Sequence, residues 1–145
     1  MKELNAFYPA LLAALEGDTG AGGVVPLLTT GHGGTLPNPK PIWLDAAPPN
    51  SSFPLVTFNE ASDLSWDTSD TQGGEALVDV HVWSDKASRS EAAGLIARIE
   101  TLCFDPAWTV SGFTLVYCRP ASQRIEADGE GFHGVVTLKV IIGHG

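Results

Sequence analysis

The chain has 145 residues, 43% of them hydrophobic, and 17 acidic against 8 basic residues give a formal net charge of −9. This length suits one domain, taken as residues 1–145, and the composition is that of a folded chain. Affinity for nucleic acid depends on basic residues that neutralise phosphates, so the acidic balance argues against DNA or RNA binding. No apolar run approaches the roughly 20 residues of a membrane-spanning helix.

The first predicted element is a helix, in which one stripe at helical spacing holds Leu4, Phe7, Leu11, Leu12 and Leu15. Proline is tolerated only in the first turn of a helix, so Pro9 predicts that the regular part begins near Tyr8. Gly17 and Asp18 are expected to end it. We interpret the segment as a helix rather than a signal peptide, because no basic region precedes its short apolar run.

Residues 17–41 are dominated by glycine, proline and threonine, and we expect a long Gly/Pro-rich loop there. The one candidate element inside this loop is a short strand at Val24–Thr30. Loops of this length in compact domains are usually functional or disordered.

Order is expected to return at Ile42–Leu44, and a strand is predicted at Phe53–Phe58. Pro54 stands near the start of that strand, where a missing N–H group is tolerated. Glu60–Gly74 is predicted to be an acidic loop that carries Trp66.

Residues 76–83 alternate strictly between two faces, which predicts a half-buried strand. Ala76, Val78, Val80 and Val82 form its aliphatic inner face. Asp79, His81 and Trp83 share the outer face, where we expect a neighbouring subunit or a helix of the same chain to cover Trp83.

A helix is predicted directly after this strand. Ser88-Arg89-Ser90-Glu91 has the form of a capping box, and Asp85 or Ser88 is a candidate cap. The apolar positions that follow keep helical spacing: Ala92, Leu95, Ile96, Ile99, Leu102 and Cys103. Asp105-Pro106 is expected to stop the helix.

Two further strands are predicted at Gly112–Cys118 and Gly134–Ile142, and Asp128-Gly129 is a turn signal for a long hairpin between them. Strands, then a helix, then a hairpin predict an α+β fold. We expect a largely antiparallel sheet of about four strands, packed with the N-terminal helix and the central amphipathic helix.

Catalysis has two candidate positions, and neither is favoured. At the junction of strand and helix, His81 and Ser84 lie three residues apart, so their side chains should project to opposite faces of the strand. Asp18-Thr19-Gly20-Ala21 resembles the DTGA motif of retroviral-type aspartic proteases, but a helix rather than an apolar strand precedes it. We therefore expect no catalytic residue.

The remaining chemical side chains form no recognisable site. His32, His81, His133 and His144 lack the spacing of metal ligands, and the glycine runs lack the residues of a phosphate-binding loop. We interpret Cys103 and Cys118 as buried free thiols in a reducing compartment. No metal ion and no cofactor are expected.

The order of four segments resembles the tail completion, or tail terminator, family of long-tailed bacteriophages and gene transfer agents. The segments are APPNSSFPLVTF, VDVHVWSDKASRSEAAGLIARIETL, GFTLVYCR and DGEGFHGVVTLKV. The similarity runs from about Ile42 to Val140, and the N-terminal helix also fits. Its most telling part is the valine-alternating strand that ends in Trp83-Ser84-Asp85 before an alanine-rich helix. The segment 17–41 is longer than this family leads us to expect.

The resemblance implies a subunit that assembles as a ring, commonly a hexamer, on the head-proximal end of the tail tube. There it would stop tube polymerisation, with tail tube protein and head–tail connector protein as partners. DNA would pass through the channel without specific binding, a role that an acidic surface suits. We expect a virion tail protein, assembled in the cytoplasm of the bacterial host, with no membrane partner. The alternatives are another head–tail connector or minor virion protein and, in a different class, an aspartic-protease-like enzyme using Asp18.

Three regions are the expected interfaces. They are the acidic loop with Trp66 and Asp67, the outer strand face, and the hairpin tip at Asp128–Phe132. The residues expected to make contact there are Trp66, Asp67, Asp79, His81, Trp83, Asp128, Glu130 and Phe132.

Overall fold

A computed structural model describes the backbone of residues 2–65, 73–103, 110, 112 and 115–143. Side chains are described for residues 5–59, 74–103, 110, 112 and 117–143. The helices of this part of the chain are α1 (Lys2–Glu16), α2 (Val24–Gly31) and α3 (Ser90–Cys103). Its strands are β1 (Ile42–Leu44), β2 (Leu55–Ser65), β3 (Gly73–Ser84), β4 (Leu115–Asp128) and β5 (Gly131–Gly143).

The strands form one mixed sheet in the order β1-β2-β3-β5-β4. Only β1 and β2 pair in parallel, and the other three neighbouring pairs are antiparallel. The α+β class is therefore as predicted, but the sheet has a fifth strand, β1, and the described residues include a third helix, α2. None of the helices in the described ranges has the length and apolar character needed to cross a bilayer.

Helix α1 begins earlier than predicted, at Lys2, so Pro9 lies inside it. A proline has no N–H group to donate to the carbonyl group of Asn5, one turn earlier. Pro9 is on the exposed side of α1, where water can bind that carbonyl group instead. The opposite side packs into the core through fully buried Phe7, Leu11 and Leu15.

The short strand predicted at Val24–Thr30 is wrong, because this segment forms helix α2. At the start of this helix the Asp18 carboxylate accepts a hydrogen bond from the N–H group of Val24, 2.8 Å away, and so satisfies a group that has no partner within the helix. Pro26 falls in the first turn, where an N–H group has no partner within the helix. The segment 17–41 is thus not irregular throughout.

The predicted alternation of β3 is confirmed, and it places the hydrophobic core on one face of the sheet. Val78, Val80 and Val82 are fully buried, and they pair with Leu138, Val136 and Gly134 of β5. Helix α3 lies close against this face, because a Cβ atom at Gly134 would collide with the side chain of Ile96. Helix α1 lies on the same face, where the rings of Tyr8 and Phe58 are in contact.

The strands are longer than the sequence predicted. Strand β2 continues to Ser65 and β3 begins at Gly73, so the predicted loop Glu60–Gly74 is wrong at both ends. Trp66 and Asp67 lie outside the described residues. Strand β4 passes Pro120 at a bulge and continues to Asp128, which a sheet edge allows because its outer N–H groups need no partner strand. The predicted turn is confirmed, with Gly129 at a φ of 62°.

Candidate functional site

The candidate site is the face of the sheet opposite the core, which we call the open face. The open face carries the odd-numbered residues of β3 and β5 and their neighbours on β2 and β4. Asp79, His81 and Trp83 lie on it, as predicted from the alternation. Helices α1 and α3 pack against the other face, so they do not cover these side chains.

The three predicted residues are held by neighbouring strands of the same sheet. Asp79 accepts a hydrogen bond of 2.6 Å from the hydroxyl group of Thr137. The indole N–H group of Trp83 donates to the Thr57 hydroxyl oxygen at 3.2 Å. The ring of Trp83 stacks on that of His133, with centroids 3.8 Å apart and planes 5° from parallel.

His81 completes this cluster through a second histidine. Its Nδ1 atom is 2.7 Å from Nε2 of His133, so one nitrogen must carry the shared proton and the other must accept it. Burial lowers the pKa of both imidazoles, and for His133 the neighbouring His81 lowers it further. Asp79 opposes the change at His81 by favouring the charged form. At neutral pH both imidazoles are therefore neutral, and with the Trp83 indole they form an aromatic surface beside the Asp79 carboxylate.

Sequence reasoning missed His133, Thr57 and Thr137 as members of this site. Their contribution depends on strand register, which places His133 beside Trp83, Thr57 beside His81 and Thr137 beside Asp79. The available signal was an aromatic or polar residue at an outward position on each adjacent strand. That signal becomes usable only once the strand order and register are known.

The residues at the junction of β3 and α3 connect these two elements through hydrogen bonds. The hydroxyl group of Ser84 donates to the Glu91 carboxylate at 2.7 Å, and its oxygen accepts from the N–H group of Lys86. Ser84 faces the core side of β3, away from His81, so the two do not form a nucleophile–base pair. The predicted capping box is not formed, because Ser88 accepts from the N–H group of Ser90 rather than that of Glu91, and the Glu91 carboxylate bonds to Ser84 instead.

Asp18, the candidate protease residue, is engaged on both carboxylate oxygens. Arg98 donates to each of them at 2.7 Å, and the N–H group of Val24 donates to one of them as well. The hydrogen bonds from Arg98 lower the pKa of Asp18, against an opposing effect of burial. A protease dyad needs a second carboxylate that shares a proton, whereas the partner here is a guanidinium group. The geometry is that of a joint between α2 and α3.

The tip of the hairpin between β4 and β5 lies near the cluster of His81, Trp83 and His133. Asp128 and Glu130 are exposed there, and Phe132 is half-buried under the guanidinium group of Arg89, 5.0 Å from the ring centroid. His133 follows directly, so the tip and the aromatic cluster share one end of the sheet.

Next to Trp83 the open face contains a cavity of about 400 Å³. Leu55, Thr57 and Trp83 form its floor, and the connection between β1 and β2 forms its wall. Phe53 in this wall is 41% exposed. The cavity is largely apolar, which suits a binding surface more than a reaction centre.

The cysteines are both buried and unbridged, as predicted. Arg119 donates from one nitrogen to the carbonyl oxygens of Cys103 and Cys118, which holds the end of α3 against β4. Hydrogen bonding of the Cys118 thiol to Cys103, together with burial, raises the pKa of Cys118, so it stays protonated. Across the described ranges, no three His, Cys, Asp or Glu side chains are grouped as a metal site would require.

Comparison with known proteins gives a family match and a fold match. The family model described as "Tail completion protein gp17" matches residues 9–143. A tail completion protein gp17 of Bacillus phage SPP1 is 27% identical over 93 residues, which cover 62% of this chain and 68% of that protein. A chain of the structure "Virion of native gene transfer agent (GTA) particle" aligns with a TM-score of 0.70 over 97% of both chains. Its identity is 13%, so this similarity concerns the fold.

Proposed function

Because this chain belongs to the tail completion protein gp17 family, we propose that it closes the head-proximal end of a phage or gene transfer agent tail tube. Its membership confirms the resemblance inferred from the strand and helix pattern. In the proposed role, copies of the chain form a ring, with six subunits as the expected number. One side of the ring stops the addition of tube protein, and the other side receives the head–tail connector.

The family match carries this proposal, because it spans residues 9–143 and so includes every described strand. The chemistry of the open face supports binding over catalysis. Its histidines are paired with each other and stacked with Trp83, and its acid is bonded to Thr137. These groups are held by neighbours and form a fixed surface.

Charge supports the proposed position on the DNA path. A net charge of −9 per subunit gives a six-subunit ring a strongly negative field. DNA phosphates are repelled by such a field, so the duplex can pass without being retained. We place the protein in the virion tail, assembled in the host cytoplasm, with the whole chain 1–145 as one ring subunit.

The test combines assembly mass with tube length. Native mass spectrometry over a range of concentrations should show a closed ring, alone or after addition of tail tube protein. Electron microscopy should then show that tubes polymerised with the chain are capped at one end and stop growing. A protein of similar size and charge serves as the control and should leave tube growth unchanged.

Two results would contradict the proposal. Tubes that grow equally with and without the chain would exclude termination. A complex that forms with connector protein but never with tube protein would indicate the alternative, a connector or minor virion protein.

A further inference from the structure

We propose that neighbouring subunits of the ring meet through a knob on β4 of one copy and a socket beside β1 of the next. The knob is Tyr117 with Arg119. The socket is the 400 Å³ cavity walled by residues 45–53. The inference rests on the proposed function, because it names the contact that would close the ring.

Exposed apolar side chains lie at the two opposite edges of the sheet. Among the described residues the exposed large hydrophobic side chains are Leu44 at 47%, Phe53 at 41% and Tyr117 at 40%. Leu44 and Phe53 belong to the β1 edge, and Tyr117 belongs to β4 at the other edge. A ring of identical subunits needs two different, complementary surfaces on each subunit, and these two edges can supply them.

The socket is concave and apolar. Its lining includes Ala46, Ala47, Pro48 and Leu55, with the Trp83 indole at its floor and exposed Phe53 at its wall. Thr57 already holds the indole N–H group, so Trp83 is fixed in place before a partner arrives. A preformed apolar cavity of this size can accept one large side chain with little reorganisation.

The knob is also held in position before contact. The guanidinium group of Arg119 lies 5.0 Å from the centroid of the Tyr117 ring. The carbonyl groups of Cys103 and Cys118 anchor that guanidinium group from behind. Tyrosine and arginine are, with tryptophan, the residue types enriched among the energetic anchors of interfaces.

The occupant that we infer is a second copy of this chain, because its opposite edge carries a cation that complements an acid at the socket. Two subunits of charge −9 repel each other, and a cation placed against an acid offsets part of that repulsion at the contact. Asp45 lines the socket, and the described part of the chain gives its carboxylate no side-chain partner. Inserting Tyr117 into the socket brings Arg119 towards this carboxylate.

The strand register gives the relative positions of knob and socket on the sheet. Tyr117 is on the open face, level with Glu75, whereas the socket lies at the level of Trp83. Knob and socket are thus about 19 Å apart across the strands and about 26 Å apart along them. The two lie at diagonal corners, so the strands should be inclined to the ring axis.

Photo-crosslinking tests the contact directly. Assemblies are prepared from the full chain carrying p-benzoylphenylalanine in place of Tyr117, with tail tube protein present, and are irradiated before mass mapping. The expected product joins position 117 of one subunit to residues 45–57 of the next. A ring that forms but crosslinks elsewhere would overturn this interface and leave the proposed function standing. Monomers that never cap tubes would overturn both.

Variants give an independent readout. Tyr117→Ala should raise the concentration needed for ring formation by about 30-fold or more, which is the effect of losing an interface anchor. Ala46→Trp, which fills the socket from the other side, should have a similar effect. Gln123→Ala changes an exposed residue on the same strand and should leave the ring unchanged. Circular dichroism confirms that each monomer is folded, and folded Tyr117→Ala that assembles like the wild type would refute the proposal.

Discussion

Replacing Asp18 by asparagine should destabilise the fold by about 2 kcal/mol, although the substitution barely changes the shape of the side chain. The variant loses the negative charge and the oxygen that accepts from the terminal nitrogen of Arg98, and a hydrogen bond between charged groups is worth about 1.5–3 kcal/mol. Arg98 is 31% exposed, so water recovers part of that loss. The oxygen that asparagine retains can still accept from the N–H group of Val24 and from Nε of Arg98, because both donate to the same oxygen of Asp18. Asp18→Ala removes that cap as well and should cost about 1 kcal/mol more.

These free energies correspond to measurable shifts in melting temperature. An unfolding entropy of about 2.1 cal/mol/K per residue gives about 0.3 kcal/mol/K for a chain of 145 residues. Asp18→Asn should therefore lower Tm by about 7 °C and Asp18→Ala by about 10 °C. Thermal unfolding followed by circular dichroism at pH 7 measures both, with Asp85→Asn as the matched control at an exposed carboxylate.

The pKa of Asp18 predicts how its contribution to stability changes with pH. The folded-state pKa of Asp18 lies below its ordinary value of 3.8, because Arg98 stabilises the ionised form. Its contribution is therefore complete above pH 3.8 and is lost as the pH falls through the folded-state pKa. The Tm difference between wild type and Asp18→Asn should shrink over that interval. A variant that matches the wild-type Tm at pH 7 and loses a peptidase activity would refute the structural role and revive the protease alternative.

Three further substitutions test other contacts. The wild type should lose stability as the pH falls below 6.5, because burial favours the neutral forms of His81 and His133. His133→Gln should lose less stability over the same pH range. Thermal unfolding measured against pH tests both, and a variant with the same pH profile as the wild type would contradict the role of His133. Gly131→Ala should cost about 2–3 kcal/mol in urea unfolding, because a Cβ atom would collide with the backbone carbonyl oxygen of Ser84; a loss below 0.5 kcal/mol would show that the hairpin shifts freely. Gly94→Ala, in open space on α3, should add about 1 kcal/mol in the same assay, and destabilisation there would contradict the helix assignment.

The elements with strong periodicity could be predicted from the sequence. The alternation around Val78 and Val80 identified β3, and helical spacing from Ala92 to Cys103 identified α3. Each pattern arises because the element has one apolar face, and the structure buries that face in both elements. The same alternation placed Asp79, His81 and Trp83 together on the other face.

Elements whose conformation depends on distant partners could not be predicted. Val24–Gly31 contains valine and threonine residues, which are β-branched and fit a strand. The segment nevertheless forms a helix, and Asp18 binds the N–H group at its start. Asp18 is itself held by Arg98, 80 residues away in sequence. The His81–His133 contact spans 52 residues in the same way. Local propensity is a weak guide wherever tertiary contacts of this kind decide the outcome.

The side chains that cover Trp83 differ from those expected, and the surface they leave uncovered is where a partner can bind. The sequence led us to expect a helix or a neighbouring subunit over this residue. Instead His133 stacks on one side of the indole, and the Thr57 hydroxyl oxygen accepts a hydrogen bond from the indole N–H group, so neighbouring strands of the sheet already cover part of Trp83. The apolar surface that remains at this end is the socket walled by Phe53. A fixed aromatic floor, an open socket and an exposed tyrosine on the opposite edge are the features on which the proposed contact between neighbouring subunits rests.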